Sequence, residues 1–554
     1  MTWRFATLTD RETVVEAIVD AAERACLALT PESGVTPVAL QRADGSSRLR
    51  PVGSTAFTSQ HLWEAEERLL NLARDTNAPA VDPQIVRAAI DHAGQDGVRA
   101  STDQVQAVEA IAASGYAIDL LIGPAGAGKT TTMAILRHAW EHAHGTRNVV
   151  GLAPSAAAAH VLGEELGICT ENTAKWLADR AHGKAAFTKG QLVIVDEATL
   201  AGTFALDRIA QAAASAGAKV LLVGDPAQLQ SVQAGGAFAM LANGRPDAAQ
   251  LVDIHRFRNP WENLASLELR HAHPEVIDIY AQHDRIREGD TQAMLDTAYQ
   301  AWRHDTTSGL VSVLIAADRS TVTALNQRAR TDRITAGHVH PGVEVTLEDG
   351  TRASRGDVIT TRRNDRRLIA GRSGWVRNGD QWTVTRVHTD GAITVRRLRW
   401  RVGAAVILPA TYVADHVNLG YATSAHRAQG LTVDTAHVLA GPATTREALY
   451  VAMTRGRHAN TAYVATDQAD PTHAALFPND TRPTGTAILR AVLQTSGTEP
   501  AAHTAATQEH ETWRSIAQLT AEYETIAAAA LRDHYAHLIH HAGIDPEVAE
   551  QITA

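Results

Sequence analysis

Five hundred and fifty-four residues, 45% hydrophobic and 20% charged, describe a globular chain of about three or four domains and exclude a disordered, collagen-like or coiled-coil protein. A net charge of −10 gives no global field for a polyanion, and the two cysteines, Cys26 and Cys169, lack the spacing of a disulfide framework or a zinc site. No apolar run reaches the ~18–20 residues that cross a bilayer, and MTWRFATLTDRET is too polar for a signal peptide, so a cytoplasmic chain is expected.

In chain order, residues 1–100 read as a mainly helical accessory segment, with Pro31, Gly34, Pro37 and Gly53 marking loops. From 101 to 250, the apolar runs IDLLIG, NVVGLAP, QLVIVDEA and KVLLVGD alternate with alanine-rich helical stretches, the pattern of a parallel sheet covered by helices. A second such lobe is expected over 251–345 and 415–470, on the runs VSVLIAAD, VDTAHVLA and NTAYVATD. Between its halves, 346–414 alternates apolar and polar residues in GDVITTRR, QWTVTRVH and AITVRRLRW, with turn signals at Asn378-Gly379 and Asp390-Gly391, and reads as a small antiparallel barrel. Between Thr351 and Gly403 it carries thirteen arginines, Arg372, Arg399 and Arg401 among them, against four aspartates. Residues 471–554 read as a linker, marked by Pro471, Pro478, Pro483 and Pro500, and a final helix over 512–542.

The chemistry concentrates in the first lobe. Gly123-Pro124-Ala125-Gly126-Ala127-Gly128-Lys129-Thr130, followed by Thr131, fits the GxxxxGK[ST] phosphate loop and lies between a strand and a helix, as that mechanism requires. Backbone N–H groups would cradle the β-phosphate of ATP, Lys129 would neutralise the β/γ oxygens, and the Thr130 hydroxyl would ligate Mg²⁺. The strand LVIV ends in Asp196, expected to hold Mg²⁺ through water, and Glu197, expected to orient and deprotonate the attacking water. Gln228 in GDPAQLQSV is placed to sense the γ-phosphate. Arg256 and Arg455 would act as arginine fingers in cis only if the two lobes face each other across the nucleotide; taken alone, each reads as a surface ion-pair partner. His338-Val339-His340, and His534, His537, His540 and His541 in the terminal helix, read as solvated or packing histidines rather than a metal cluster.

These motifs, in order STDQVQAV, GPAGAGKT, LAPSAAAAHVL, TENTAKWL, VDEAT, GDPAQLQSV, HRFRNPWE, TSAHRAQGLTVD and YVAMTRGR, resemble superfamily 1 DNA helicases of the RecD-like group, and more closely the helicase portion of MobF-type (TraI/TrwC-like) conjugative relaxases, over roughly residues 54–467. The resemblance implies an α/β fold of two RecA-like lobes with an SH3-like barrel inserted in the second, and an ATP-driven motor moving 5′-to-3′ on single-stranded or forked DNA. It implies that Gln104 reads the adenine and that Pro154, Ser155, Thr173, Ser424, His426 and Gln429 line the strand. Trp375, Trp382 and Trp400 of the arginine-rich insert offer stacking surface, or pack in the insert's own core beneath a solvated basic face. Relatives commonly carry Thr at Ser424 and Lys at Arg427. They also carry an N-terminal nuclease with a tyrosine nucleophile and a histidine cluster, for which the hundred residues before the phosphate loop show no counterpart. A monomer working beside a separate relaxase or other conjugation proteins is expected. Three rivals stay open: a single-stranded-DNA-stimulated ATPase or loading factor that does not unwind, a non-enzymatic DNA-binding fragment, and a ring ATPase.

Overall fold

Short runs apolar on both faces can be buried only as inner strands of a helix-covered sheet, and the chain builds two such sheets. The computed structural model describes residues 7–32, 34–97, 99–231, 233–371, 374–398, 405–467 and 483–542. Arg372, Arg399, Trp400, Arg401, Pro471 and Pro478 lie outside them, as does the side chain of His540. Contacts divide the chain into two compact units, Met1–Arg68 with Pro500–Ala554, and Leu69–Glu499.

In the larger unit, β1 (Ile118–Ile122), β2 (Val149–Ala153), β3 (Cys169–Asn172), β4 (Leu192–Val195), β5 (Lys219–Gly224) and β6 (Ala249–Gln250) form a parallel sheet in the order β3-β2-β4-β5-β1-β6. The second sheet comprises β7 (Ile286–Gly289), β8 (Ser312–Ala316), β14 (Ala422–Ser424), β15 (Val433–Ala440) and β16 (Gly456–Ala465), parallel in the order β14-β8-β15-β16-β7. These are the two RecA-like α/β lobes expected from the runs.

Between β8 and β14 the chain makes an antiparallel sheet of β9 (Val358–Thr361), β10 (Gln381–Val387), β11 (Ile393–Arg397), β12 (Val406–Leu408) and β13 (Val417–Leu419), ordered β12-β11-β10-β9-β13. Among the described residues its ladder is open, since β12 and β13 each pair on one side only. Gly391, at φ +85°, makes the β10–β11 turn from the Asp-Gly pair. Of the two readings of the insert's tryptophans, the core one holds for Trp382. Trp382 is 0% exposed, donates to Thr361 Oγ1 at 3.3 Å and packs with Val384, Ile393 and Val395, so it is core and presents no stacking surface. Trp375 is half-buried, with the Arg366 guanidinium 5.0 Å and the Arg377 guanidinium 5.3 Å from its ring centre.

The ends of the chain also differ from expectation. Segment 1–100 holds the helices Leu8–Ala25, Gln60–Arg74 and Pro83–Gln95, but Cys26–Ala28 and Phe57–Ser59 pair as antiparallel strands, and Pro83–Gln95 joins the first lobe, where Val86 shares a core with Ile135 and Leu136 of the phosphate-loop helix. Past the expected linker, helix Gly485–Gln494 buries Ile488, Leu489, Val492 and Leu493 in the second lobe's core, beside Ala462 and Val464 of β16. In the smaller unit, helix Ala502–Trp513 is fixed through Glu66, whose carboxylate accepts from the backbone N–H of Ala502 and of His503, each at 2.9 Å. The terminal helix spans Ile516–His541. No helix among the described residues is long and apolar enough to cross a membrane.

Candidate nucleotide site

The phosphate loop leaves β1 and feeds helix Lys129–His144, and its two tightest positions need glycine. Gly126 and Gly128 stand at φ +88° and +79°. A Cβ on Gly126 would lie 2.4 Å from Arg256 Cβ, and one on Gly128 would lie 2.1 Å from Gln104 Nε2. Gln104 thus sits on the loop, donating to Ala127 O at 3.2 Å and accepting from Ser101 N–H at 3.2 Å. Gly128→Ala, strained by about 1–2 kcal/mol in that left-handed backbone, is expected to weaken nucleotide binding roughly tenfold or more, read by titration with a fluorescent ADP.

The ends of β4 and β5 bring the carboxylates. Desolvation in the cleft and the neighbouring Glu197 push the Asp196 carboxyl up to about 7, with Lys129 opposing. Glu197 occupies the left-handed region at φ +51° and ψ +40°, a conformation that costs a non-glycine residue about 1 kcal/mol or more and is held here by the surrounding fold. Gln429 of the second lobe donates to Glu197 Oε2 at 3.2 Å. The Thr130 hydroxyl donates to Glu165 Oε2 at 3.1 Å.

Three cations lie within electrostatic reach of Glu197, and among the described residues all three give their hydrogen-bond donors to neutral acceptors. Lys129 Nζ donates to Gly123 O at 2.7 Å and Pro124 O at 3.0 Å. Arg256 follows His255, whose N–H donates to Gly126 O of the phosphate loop at 3.1 Å; its guanidinium donates to Thr454 O at 2.7 Å and Thr432 Oγ1 at 3.2 Å. Arg455 is 1% exposed and donates to Val451 O at 2.6 Å, Thr454 Oγ1 at 2.8 Å and Leu431 O at 3.4 Å. Burial, then the repulsion of Arg256, pushes Arg455 down to about 9, which leaves it a cation at neutral pH. Burial also lowers Lys129, against the attraction of Glu197, Asp225 and Asp196, and lowers Arg256. A cluster of desolvated cations without a carboxylate in hydrogen-bond contact is electrostatically incomplete, and a polyphosphate completes it.

Asp225, at the end of β5, is 2% exposed and joins the lobes: its carboxylate accepts from Arg270 Nε at 2.9 Å and Tyr450 Oη at 2.9 Å, and from Gln228 Nε2 at 3.3 Å. Sequence reasoning gave Asp225, Arg270 and Tyr450 no role, although GDPAQ and the YVAMTRGR motif contain the first and last. Gln228, expected to sense the γ-phosphate, donates through Nε2 to Asp225 Oδ2 at 3.3 Å.

The strand-lining set is divided. Ser155 is exposed, but its hydroxyl caps helix Ala156–Leu166 by accepting from Ala158 N–H at 3.0 Å, and Pro154 O accepts from Asn172 Nδ2 at 2.7 Å. Thr173 is 6% exposed at the start of its helix, so its hydroxyl offers little surface to a strand. On the second lobe, His426 is exposed and Ser424 half-buried, whereas Gln429 turns inward to Glu197.

Residues 99–291 match the AAA domain family. The chain is similar to a probable conjugal transfer protein TraA of Sinorhizobium fredii, with 33% identity over 368 residues covering 65% of this chain and 32% of that protein. It is similar to the conjugal transfer protein TraA of Rhizobium radiobacter at 34% identity, covering 65% of this chain and 32% of that protein. The chain therefore spans about a third of the length of these relatives. Among solved structures, Pif1 helicases described as unwinding forked double-stranded DNA align at TM-score 0.43 and 16% identity, covering 76% of this chain and 98% of that one. The phosphate loop, the Asp-Glu pair and Arg256 fall within the AAA domain match, and the resemblance to conjugation proteins read from the motifs agrees with the similarity to these two transfer proteins.

Proposed function

We propose that this chain is an ATP-dependent DNA helicase or translocase of conjugative transfer, with ATP bound between the two lobes. The observation that carries the reading is the convergence of Lys129, Arg256 and Arg455, drawn from three distant stretches of sequence, around Glu197 with their donors on neutral groups. An isolated phosphate-binding loop has no use for two desolvated arginines from beyond it; a phosphoryl-transfer site does.

In this reading, residues 101–250 form the ATPase lobe, 251–345 with 415–470 the second lobe, and 346–414 an SH3-like barrel. The helix Pro83–Gln95 belongs with the first lobe and Gly485–Gln494 with the second, and Met1–Arg68 with Pro500–Ala554 are accessory. Gln104 lies against the adenine. The loop 123–131 wraps the phosphates, and Lys129 leaves its two carbonyls for the β/γ oxygens. The oxygens of Asp196, Glu197 and Thr130 are of the type that suits a hard divalent cation, and such a cation would offset the burial and the Glu197 charge that raise the Asp196 carboxyl. Mg²⁺ held by Thr130 and Asp196 would supply charge neutralisation at the β/γ oxygens. Glu197 takes a proton from the attacking water, while Arg256 and Arg455 stabilise charge on the transferring phosphoryl group.

Because both arginines are tied to Thr454, loss of the γ-phosphate frees the second lobe to move, and repeated opening and closing would carry the chain along a single strand. Pro154, Ser155, Thr173, Ser424 and His426 border that strand's path, and the arginines of the insert supply its phosphate contacts. The chain acts as a monomer in the cytoplasm, beside a relaxase or other conjugation proteins. A forked duplex with a free 5′ single-stranded tail tests the reading: strand separation that needs ATP is expected. ATP turnover with the fork left intact would make the chain a translocase or loading factor.

A further inference from the structure

We infer that Gln429 is a second water-holding residue of the hydrolytic site, contributed by the second lobe, rather than a strand contact. The inference rests on the nucleotide-motor reading above and gives Glu197 a partner. Two observations support it. Gln429 Nε2 donates to Glu197 Oε2 at 3.2 Å, and Gln429 Oε1 is buried with no hydrogen-bond donor reaching it among the described residues. A buried amide oxygen without a donor is costly and uncommon, and here it belongs to a group already bonded to the expected general base.

The chemistry explains why the residue is glutamine. An attacking water must give one hydrogen to the base and needs an acceptor for the other to fix its lone pair on phosphorus. A primary amide meets both demands on one rigid plane: its NH₂ holds the carboxylate and its carbonyl accepts from the water. Glutamate would repel Glu197, and lysine has no acceptor. In the step, the water oxygen bonds the γ-phosphorus, the bond from that phosphorus to the β–γ bridging oxygen breaks, one water proton passes to Glu197, and the other remains on the departing inorganic phosphate. Gln429 transfers no proton; it accepts a hydrogen bond throughout.

The local backbone allows this. Ala425–Ala428 is a single helical turn; Gln429 caps it, with its N–H on Ala425 O at 3.1 Å, and Gly430 follows at φ +81°. The turn leaves His426 and Arg427 exposed while Gln429 faces the cleft. Gln228 holds a different carboxylate, its Nε2 donating to Asp225 Oδ2 at 3.3 Å, so Gln429 is the amide bonded to the expected general base. Since Glu197 belongs to the first lobe and Gln429 to the second, the water site is complete only when the lobes are closed, and a strand touching His426 acts on the same turn.

The test compares wild type with Gln429→Ala and with Gln429→Met, which keeps the side chain's size but removes the amide. Turnover without DNA is expected to fall about 10²-fold in both. The KM for ATP, the affinity for ADP, the affinity for a labelled single strand and the melting temperature should each stay near wild type. Affinity for ADP with aluminium fluoride, which mimics the transferring phosphoryl group, should fall. DNA-free turnover equal to wild type, or a loss confined to DNA affinity and DNA stimulation, would overturn the inference and make Gln429 a strand contact. A wild-type chain that hydrolyses no ATP would overturn the motor reading itself, and this inference with it.

Discussion

Glu197→Gln should lower ATP turnover by about 10²–10⁴-fold while leaving nucleotide affinity close to wild type. The substitution is nearly isosteric, so the left-handed turn after β4 and the approach of Gln429 are retained, and the change removes only the ability to take a proton. Lys129, Arg256 and Arg455, which hold and stabilise the phosphates, are untouched. The measurement is steady-state phosphate release beside a titration with fluorescent ADP. If turnover survives, Glu197 is not the base; if binding is lost as well, the residue has a structural share in the site.

Arg455→Ala should cost about 10³-fold or more in turnover, with ATP affinity less affected, the behaviour of a cation acting late in phosphoryl transfer. Its environment explains the size. The guanidinium is buried, pushed down to about 9, and repelled by Arg256, so its charge is held at a cost. A folded-state value below the ordinary arginine value means that this cost is present at every pH below about 9, neutral pH included, and disappears only above it. A bound triphosphate offsets the cost, so ATP should raise the melting temperature of wild type, and less so that of Arg455→Ala. The variant also strips donors from Val451 O and Leu431 O, and its lower intrinsic melting point must be measured alongside. Near-normal turnover in a folded variant would return Arg455 to the packing role its burial alone suggests.

The two lobes were legible because their central strands are apolar on both faces, as in β1, β4 and β5, and each precedes a turn rich in glycine or acid. The strands that escaped notice, β3, β6, β7 and β14, all lie at sheet edges. An edge strand is short and half-solvated, so Cys-Thr-Glu-Asn or Ile-Arg-Glu-Gly carries no apolar run to read. Helix Gly485–Gln494 was hidden by the proline- and threonine-rich stretch before it, although Ile488, Leu489, Val492 and Leu493 have helical spacing. Trp382 was legible in principle: alternation along Gln381–Val387 places it on the same face as Val384, and that face is the core.

At the site, the phosphate loop and the Asp-Glu pair were readable from local spacing, because strand, loop and helix alone position them. The meeting of Arg256 with Thr454, of Asp225 with Tyr450 and of Gln429 with Glu197 was not, since each joins residues about 200 or more apart in sequence and depends on lobe closure. Gln429 is the instructive case. Residue type and motif suggested a strand contact, and only the fold shows which way its turn faces.

The most direct test of the central claim, that one cleft unites the early lysine with the later arginines in a site coupled to a DNA groove, is ATP turnover of the purified chain with and without a single-stranded oligonucleotide. Turnover that depends on Lys129 and rises several-fold with the strand is the expected result. Turnover indifferent to the strand, or absent in both conditions, would contradict the account.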